Sequence, residues 1–173
     1  PDSYPRKVSL LARAKLTEAS LQGLLAESAM IAHGRGEAFD YLLGEQTSGS
    51  ARAAICESAA RLRAAKHPII SLNGNTTVLA GADAIRAAAI LGCSVEVNIY
   101  YRTPERMSKL NETLEGLREE VANNPAPEGW DGSQWAESVR AVEILGAKAD
   151  GRIAGLEGPR SLCSSLGIEA ADA

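Results

Sequence analysis

The sequence has few aromatic residues, few cysteines and no long apolar run. Aromatic side chains make up 4% of the 173 residues, so alanine and leucine must supply most of an apolar core. The three cysteines, Cys56, Cys93 and Cys163, lie far apart without a Cys-x-x-Cys pair, which predicts free, mostly buried thiols rather than a zinc or redox site. No apolar run reaches the ~20 residues of a membrane span, and residues 1–5 lack the apolar stretch of a signal peptide. These features predict a cytoplasmic protein.

An excess of positive charge is also missing. The chain has 18 Lys+Arg against 22 Asp+Glu, a formal net charge of -4, and its basic residues are scattered. A nucleic-acid or membrane surface needs clustered basic residues, so neither partner is predicted. The Walker A, G-x-G-x-x-G, H-E-x-x-H and G-x-S-x-G motifs are absent as well. The residue pattern therefore predicts no metal site and assigns no catalytic residue.

Apolar residues recur at helical spacing in several segments. The spacing predicts helices over about 8–32, 37–43, 51–65, 82–91, 103–121 and 133–146. We expect His33 and Gly34 to end the first helix, since glycine adopts the left-handed conformation that follows many helices. Arg35 would then lie on a loop. The helix over 51–65 should bury Ile55, Ala59 and Leu62.

Two segments, 69–72 and 94–100, have the apolar character of strands. Helices follow both, which is typical of a parallel sheet with crossover helices and predicts an α/β fold with a helix-rich N-terminal part. Two strands make an incomplete sheet, so further strands must come from a partner or from additional chain. We expect one α/β domain over 1–173, with a Pro/Gly-rich surface-loop insertion at 123–132. Residues 147–156 are predicted to form a loop with at most a short strand.

The stretch SLNGNTT after the first strand allows two interpretations. Asn-Gly is a strong hairpin signal, but the helix predicted after it favours a loop at the carboxyl end of a parallel strand, where α/β folds bind ligands. This makes Asn73, Gly74, Asn75 and Thr76 candidate ligand-binding residues, with an Asx-type turn as the alternative.

Three further polar residues fall near the ends of predicted elements. Asn98 lies in the second strand, and Arg102 lies beside the Thr-Pro start of the next helix, where it could instead pair with Glu105. Arg35, between two glycines, could bind a phosphate or carboxylate, or be an exposed loop arginine.

Four motifs follow one another along the chain in this order: HGRGEAFDYLLGE, HPIISLNGNTTVL, VEVNIYYRTPERM and DGRIAGLEGPR. Together they resemble the archaeal 4-phosphopantoate:beta-alanine ligase (phosphopantothenate synthetase) family, from about Tyr4 through Ala173. The resemblance implies a Rossmann-like, partly parallel sheet and a cytoplasmic homodimer. It also implies that this chain is the N-terminal portion of a longer enzyme, and that a C-terminal part with further nucleotide-contacting segments would follow.

The implied reaction is the ATP-dependent joining of 4-phosphopantoate and beta-alanine into 4′-phosphopantothenate, with release of AMP and pyrophosphate, in coenzyme A biosynthesis. By the same resemblance, Arg13 in LARAKL and Arg35 in HGRGE match ATP-contacting arginines, and Mg²⁺ is expected with ATP. We expect the neutral amides of Asn73, Asn75 and Asn98 to line the substrate side. The alternative is a noncatalytic nucleotide- or anion-binding α/β module.

Overall fold

Helices dominate the computed structural model, which describes Tyr4 and residues 6–173. Of residues 1–5, which bear on the signal-peptide prediction, only Tyr4 is therefore described. The α-helices are α1 (Lys7–Leu21), α2 (Glu27–Leu42), α3 (Gly49–Ala64), α4 (Gly74–Leu91), α5 (Pro104–Asn123) and α6 (Gly132–Arg140). The strands are β1 (Ile69–Leu72), β2 (Ser94–Val97), β3 (Ile144–Leu145), β4 (Gly151–Arg152) and β5 (Leu162–Cys163), and a 3₁₀ turn spans Pro159–Ser161.

A three-stranded parallel sheet in the order β1-β2-β3 organises the fold. The helix α4 connects β1 to β2, while α5 and α6 connect β2 to β3, as parallel pairing requires. The expected α/β class with a small, incomplete parallel sheet is therefore confirmed. A separate antiparallel pair joins β4 to β5, so the loop predicted over 147–156 does contain one short strand.

The third parallel strand corrects the prediction of a helix from 133 to 146. The helix α6 ends at Arg140, and β3 pairs with β2 by placing Ile144 opposite Val95. A strand of two residues is too short to show a period-2 pattern, which is why its apolar residues were assigned to the preceding helix. The loop between α5 and α6 covers 124–131, slightly shorter than expected, and its Trp130 packs edge to face on Trp135 with ring centroids 5.5 Å apart.

The core lies between the sheet and the helices α4, α5 and α6. The helix α5 begins as predicted, because the Thr103 side chain accepts a hydrogen bond from the Arg106 N–H and Pro104 occupies the first turn. The apolar residues that recur along it at helical spacing face the core: Met107, Leu110, Leu114 and Val121 are at 4% exposure or less, and Leu117 is partly buried. On α4, a Cβ at Gly81 would lie 2.8 Å from Leu117 Cδ1, so this glycine allows the close approach of α4 to α5.

The predicted single helix over 8–32 is in fact two helices. Gly23, at φ +81°, ends α1, whereas Gly34 and Gly36 lie inside α2. A glycine inside a helix costs about 1 kcal/mol relative to alanine, an amount that the rest of a helix can offset, so a glycine alone does not mark a helix end. Arg35 is consequently a helical residue and not a loop residue.

The faces of α2 and α3 are more exposed than their periodicity predicts. In α2 and α3, both described throughout, no residue is buried, and Ile55 is 61% exposed. The predicted burial of Ile55, Ala59 and Leu62 on α3 is therefore wrong, because periodicity reveals an apolar face but not what covers it. Among the described residues, no helix is long and apolar enough to cross a membrane.

The cysteines differ in exposure. Cys163 is buried, Cys93 is partly buried and Cys56 is exposed on α3, and all three are free thiols. The prediction of free thiols is confirmed, while burial fails for Cys56. Burial raises the pKa values of the Cys93 and Cys163 thiols above their ordinary value, and the Glu96 carboxylate adds to the effect at Cys163.

Candidate functional site

The stretch after β1 is the start of a helix. Asn73 has an extended backbone and caps α4: its Oδ1 accepts hydrogen bonds from Thr76 N at 2.9 Å and from Thr76 Oγ1 at 3.1 Å. Since β1 pairs in parallel with β2, the hairpin interpretation is excluded. The stretch does lie at the carboxyl end of β1, as predicted, but it forms the cap and first turn of α4 instead of the expected loop. The alternative of an Asx-type turn also holds for Asn73, because its side-chain oxygen already accepts a hydrogen bond from the Thr76 backbone N–H.

The next two residues join α4 to the beginning of α2. A Cβ at Gly74 would lie 2.7 Å from Leu25 Cδ2, so only glycine allows this approach without displacing the leucine. Asn75 Nδ2 donates to the Ala29 carbonyl at 2.9 Å. Asn75 Oδ1 is buried and, among the described residues, has no hydrogen-bond partner. The Asn75 side chain therefore has a free acceptor in this region.

A cavity of about 180 Å³ opens at this edge of the sheet. It lies between the N-terminus of α4, the start of α2 and the Tyr100-Tyr101 segment that follows β2. The lining residues are Leu24, Leu25, Ala26, Ser28, Ala29, Ala32, Asn73, Gly74, Asn75, Ile99, Tyr100, Tyr101, Arg106 and Arg160. Among the described lining residues two are arginines and none is acidic, although the chain as a whole carries a net charge of -4.

Both cavity arginines were missed by the sequence-based predictions. Arg106 Nη1 donates to the Tyr101 carbonyl at 2.6 Å, while its buried Nε has no partner within the described chain. Arg160 is exposed, and no described residue bonds its guanidinium. Arg106 could have been found from its place in the first turn of the helix after β2. Nothing local distinguishes Arg160, which long-range packing brings to the cavity.

Asn98 supports the cavity from behind rather than lining it. The strand β2 ends at Val97, so Asn98 follows the strand, and the expected strand over 94–100 is three residues too long. The Asn98 side chain is 6% exposed and donates to the carbonyls of Arg160 at 3.1 Å and Leu162 at 3.3 Å. It therefore holds the turn that carries Arg160.

Arg102 lies in a different cleft. Its Nη2 donates to the Gly146 carbonyl and, at 3.4 Å, to the Ala147 carbonyl, so it braces the end of β3 rather than pairing with Glu105. This cleft runs along α5 past Met107, and the structure does not bring Arg102 to the cavity.

The two predicted ATP-binding arginines lie in different settings. Arg13 Nη1 donates to Glu37 Oε2 at 3.1 Å, joining α1 to α2. Arg35 is exposed and, among the described residues, has no hydrogen bond or ion pair. It follows the cavity-lining Ser28 and Ala32 by seven and three residues, so helical periodicity puts it on the same face of α2, beyond the cavity.

Glu37 is the centre of the α1–α2 contact. Besides Arg13, its carboxylate accepts hydrogen bonds from Ser9 Oγ at 2.8 Å and Arg6 Nη2 at 2.7 Å. The Ser9 hydrogen bond is the largest influence holding the pKa of Glu37 below its ordinary value, and the two arginines act in the same direction against partial burial.

A buried carboxylate anchors the last segment to the sheet. Glu96 on β2 is fully buried, and its Oε1 and Oε2 accept hydrogen bonds from Ser164 N and Ile168 N, each at 2.8 Å. A Cβ at Gly167 would collide with Glu96 Oε2, so glycine is required there. This contact fixes the residues that follow β5 against β2.

The cavity does not fit a magnesium site of its own. Mg²⁺ in proteins usually takes one or two carboxylates together with substrate phosphates, and no described lining residue carries a carboxylate. Across the described residues, no group of three or more His, Cys, Asp or Glu could hold a metal ion.

Comparison with known proteins shows which family the chain resembles. Residues 50–128 match the family model described as phosphopantothenate/pantothenate synthetase. The 4-phosphopantoate--beta-alanine ligase of Thermococcus kodakarensis is 38% identical over 172 residues, covering 99% of this chain and 58% of that relative. The chain is similar to the phosphopantothenate/pantothenate synthetase family.

Two further archaeal ligases show the same likeness. The ligase of the same name from Methanosarcina mazei is 36% identical over 99% of this chain and 59% of the relative. That from Methanospirillum hungatei is 45% identical over 66% of this chain and 47% of the relative. The chain thus spans less than two thirds of the length of these curated relatives. The family match over 50–128 includes Asn75 and Arg106, while Arg160 lies outside it.

Proposed function

We propose that this chain is part of an ATP-dependent ligase that joins 4-phosphopantoate and beta-alanine into 4′-phosphopantothenate, with release of AMP and pyrophosphate, in coenzyme A biosynthesis. The observation that carries the proposal is the name shared by relatives that are 36–45% identical to it. The cavity supports it, because two arginines and no described acidic side chain suit an anionic substrate.

The proposed chemistry has two steps. A carboxylate oxygen of 4-phosphopantoate attacks the α-phosphorus of ATP, and pyrophosphate leaves. The amine of beta-alanine then attacks the acyl carbon, loses a proton and displaces AMP. Both steps bring anions together or release one, so fixed positive charge would stabilise them.

Four groups would act in this reaction. Arg35, whose guanidinium is unpartnered among the described residues, would bind ATP phosphates at the α2 side of the cavity. Arg13 would do so only by sharing or leaving Glu37. The N–H groups of Gly74 and Asn75 at the start of α4 would face an anion, and Asn75 Oδ1 would accept a hydrogen bond from a substrate hydroxyl or ammonium. Mg²⁺ is part of the proposal only as a companion of ATP, since the cavity supplies no carboxylate for it.

The proposal includes a cytoplasmic homodimer. Large apolar side chains on α1, α2 and α3 stand in solvent, among them Leu21 at 86%, Phe39 at 64% and Ile55 at 61% exposure. Contiguous exposed apolar surface is typical of protein interfaces, so a second copy is the proposed occupant. Light scattering of the protein as it elutes from a size-exclusion column should give the mass of a dimer. The mass of a monomer at all concentrations would contradict the proposed homodimer.

A second candidate function is a noncatalytic nucleotide- or anion-binding module. It is favoured by the cavity, whose two arginines suit an anion whether or not a reaction follows. Binding of ATP without turnover would support this alternative.

A turnover assay separates the two. The 173-residue chain, alone and completed with the part of the Thermococcus kodakarensis ligase outside the match, is incubated with ATP, 4-phosphopantoate and beta-alanine, and AMP and 4′-phosphopantothenate are measured by mass spectrometry. We expect both products from the completed protein, with AMP formation dependent on 4-phosphopantoate. A folded completed protein that makes neither product would refute the ligase proposal.

A further inference from the structure

Resting on the proposed function, we propose that the cavity at the start of α4 is the subsite for the charged groups of the small acid substrate, and that Arg106 and Arg160 are its anion-binding residues. The ligand chemistry is a phosphoryl or carboxylate group on a small organic acid. The nucleotide is expected outside this cavity, toward Arg35.

The charge distribution favours an anion. Arg106 and Arg160 face one small space together with the N-terminus of α4, where backbone N–H groups carry partial positive charge. No described lining side chain is negative, so the two guanidinium groups are not neutralised within the cavity. Elsewhere in the molecule comparable arginines do have acidic partners, such as Arg61 with Glu57 and Arg140 with Glu119.

Arg106 and Arg160 also have N–H donors that no described residue accepts. A guanidinium has five N–H donors, and Arg106 uses one of its groups on the Tyr101 carbonyl while its Nε is buried without a described partner. The Arg160 guanidinium has no described partner. The guanidinium groups of Arg106 and Arg160 thus both offer free N–H donors to one cavity. Such donors bind the oxygens of a phosphate or carboxylate better than those of a neutral ligand.

The size of the cavity selects between two anionic ligands. Its volume of about 180 Å³ is below the roughly 300–1,000 Å³ typical of sites that enclose drug-sized ligands. A small phosphorylated acid can place one charged end there, whereas a complete nucleoside triphosphate cannot be enclosed. The volume therefore favours the acid, the smaller of the two ligands, as the molecule that the cavity encloses.

The Arg160 backbone is held in place before any ligand arrives. Arg160 lies in the 3₁₀ turn Pro159–Ser161, whose Ser161 Oγ donates to the Gly158 carbonyl at 2.7 Å. Arg152 Nη1 donates to Ser161 Oγ at 3.0 Å, and Asn98 bonds the Arg160 carbonyl from the other side. A fixed backbone lowers the ordering cost of binding, as expected for a recognition residue.

Calorimetric titration of the 173-residue chain tests the subsite. The probes are 4-phosphopantoate, pantoate, inorganic phosphate and ATP, and the variants are Arg160→Gln and Arg106→Gln. Arg63→Gln, an exposed arginine on α3 remote from the cavity lining, is the matched control. We expect each cavity variant to weaken 4-phosphopantoate binding about tenfold or more, the size of one lost charged hydrogen bond, with ATP affinity within about twofold of the wild type.

The outcomes separate this proposal from the proposed function. If 4-phosphopantoate binds the wild type and both cavity variants alike, the subsite is wrong while the ligase proposal stands. If the variants weaken binding of inorganic phosphate but 4-phosphopantoate does not bind, the anion site stands, its assignment to the acid substrate is overturned, and the turnover assay of the completed protein still decides the ligase proposal. Weakened ATP binding in place of acid binding would make the nucleotide the occupant and overturn the assignment, as would a wild-type chain that binds neither phosphate nor 4-phosphopantoate.

Discussion

Replacing the buried Glu96 with glutamine should destabilise the fold measurably, although the two side chains have nearly the same shape. In the structure each carboxylate oxygen accepts one backbone N–H, from Ser164 and from Ile168, both at 2.8 Å. Glutamine keeps one acceptor and turns the other oxygen into an NH₂ group, which would face a backbone donor. One of the two amides would then be buried without a partner.

The magnitude follows from opposing effects. Loss of a charged hydrogen bond costs about 1.5–3 kcal/mol, and an unpaired buried N–H costs about 1–3 kcal/mol. The neutral glutamine avoids the cost of burying a charge, which offsets part of this loss. We expect Glu96→Gln to lower the free energy of unfolding by about 2 kcal/mol, a large share of the ~5–15 kcal/mol typical of a domain.

Urea denaturation followed by far-UV circular dichroism measures this change. The matched control is Glu143→Gln, because Glu143 is an exposed glutamate directly before β3 for which the described residues provide no side-chain hydrogen bond. A lower urea midpoint for Glu96→Gln at unchanged slope would show the expected loss of stability. Equal midpoints for the two variants would refute the role assigned to the Glu96 carboxylate.

Three further predictions concern the cap of α4, the contact between α1 and α2, and the thiols. Asn73→Ala should lower the free energy of unfolding by about 1 kcal/mol in thermal denaturation, whereas Asn73→Ser, which retains a capping oxygen for Thr76 N, should cost only a few tenths. Because the pKa of Glu37 is lowered from its ordinary value of 4.5, the contact it makes contributes stability above pH 4.5 and loses it as the pH falls through the lower folded value, so a melting-temperature series at decreasing pH should show a fall that Glu37→Gln reduces. A thiol reagent should label the exposed Cys56 first and the buried Cys163, whose thiol pKa is raised, only on unfolding.

Each of these predictions has an outcome that would contradict it. Equal losses for Asn73→Ala and Asn73→Ser would mean that the cap does not depend on the side-chain oxygen. An unchanged pH profile in Glu37→Gln would assign the acid sensitivity to other carboxylates. Labelling of Cys163 at the rate of Cys56 in folded protein, resolved by peptide mass spectrometry, would contradict its burial.

Helices and strands were predicted correctly where the local sequence marks their ends strongly. The bounds of β1 were predicted correctly because Pro68 and Asn73 flank a short apolar run, and α5 was found from its Thr-Pro start. Prediction failed for β3, which is too short to have a period, and at Gly34, where a glycine inside a helix has the same local appearance as one at its end.

Some residues of the candidate site could likewise be predicted from local sequence, and others could not. Gly74 and Asn75 follow a predicted strand directly, so their position at the cavity was accessible from the sequence. Arg106 and Arg160 were not, since the two arginines lie 54 positions apart in the numbering and only packing of the last segment onto β2 brings them to one space. The role of Asn98 in holding the Arg160 turn depends on the same long-range packing.

The exposure of α3 has a consequence for the motions of the molecule. A helix of 16 residues is marginally stable by itself in water, and α3 buries none of its side chains to compensate. Its backbone amides should therefore exchange with deuterium at rates close to those of an isolated peptide, while the amides of α4, packed against the sheet, remain protected. If a second copy covers α3, its exchange should slow as the protein concentration rises, so the protection of a single helix would report the association of the whole chain.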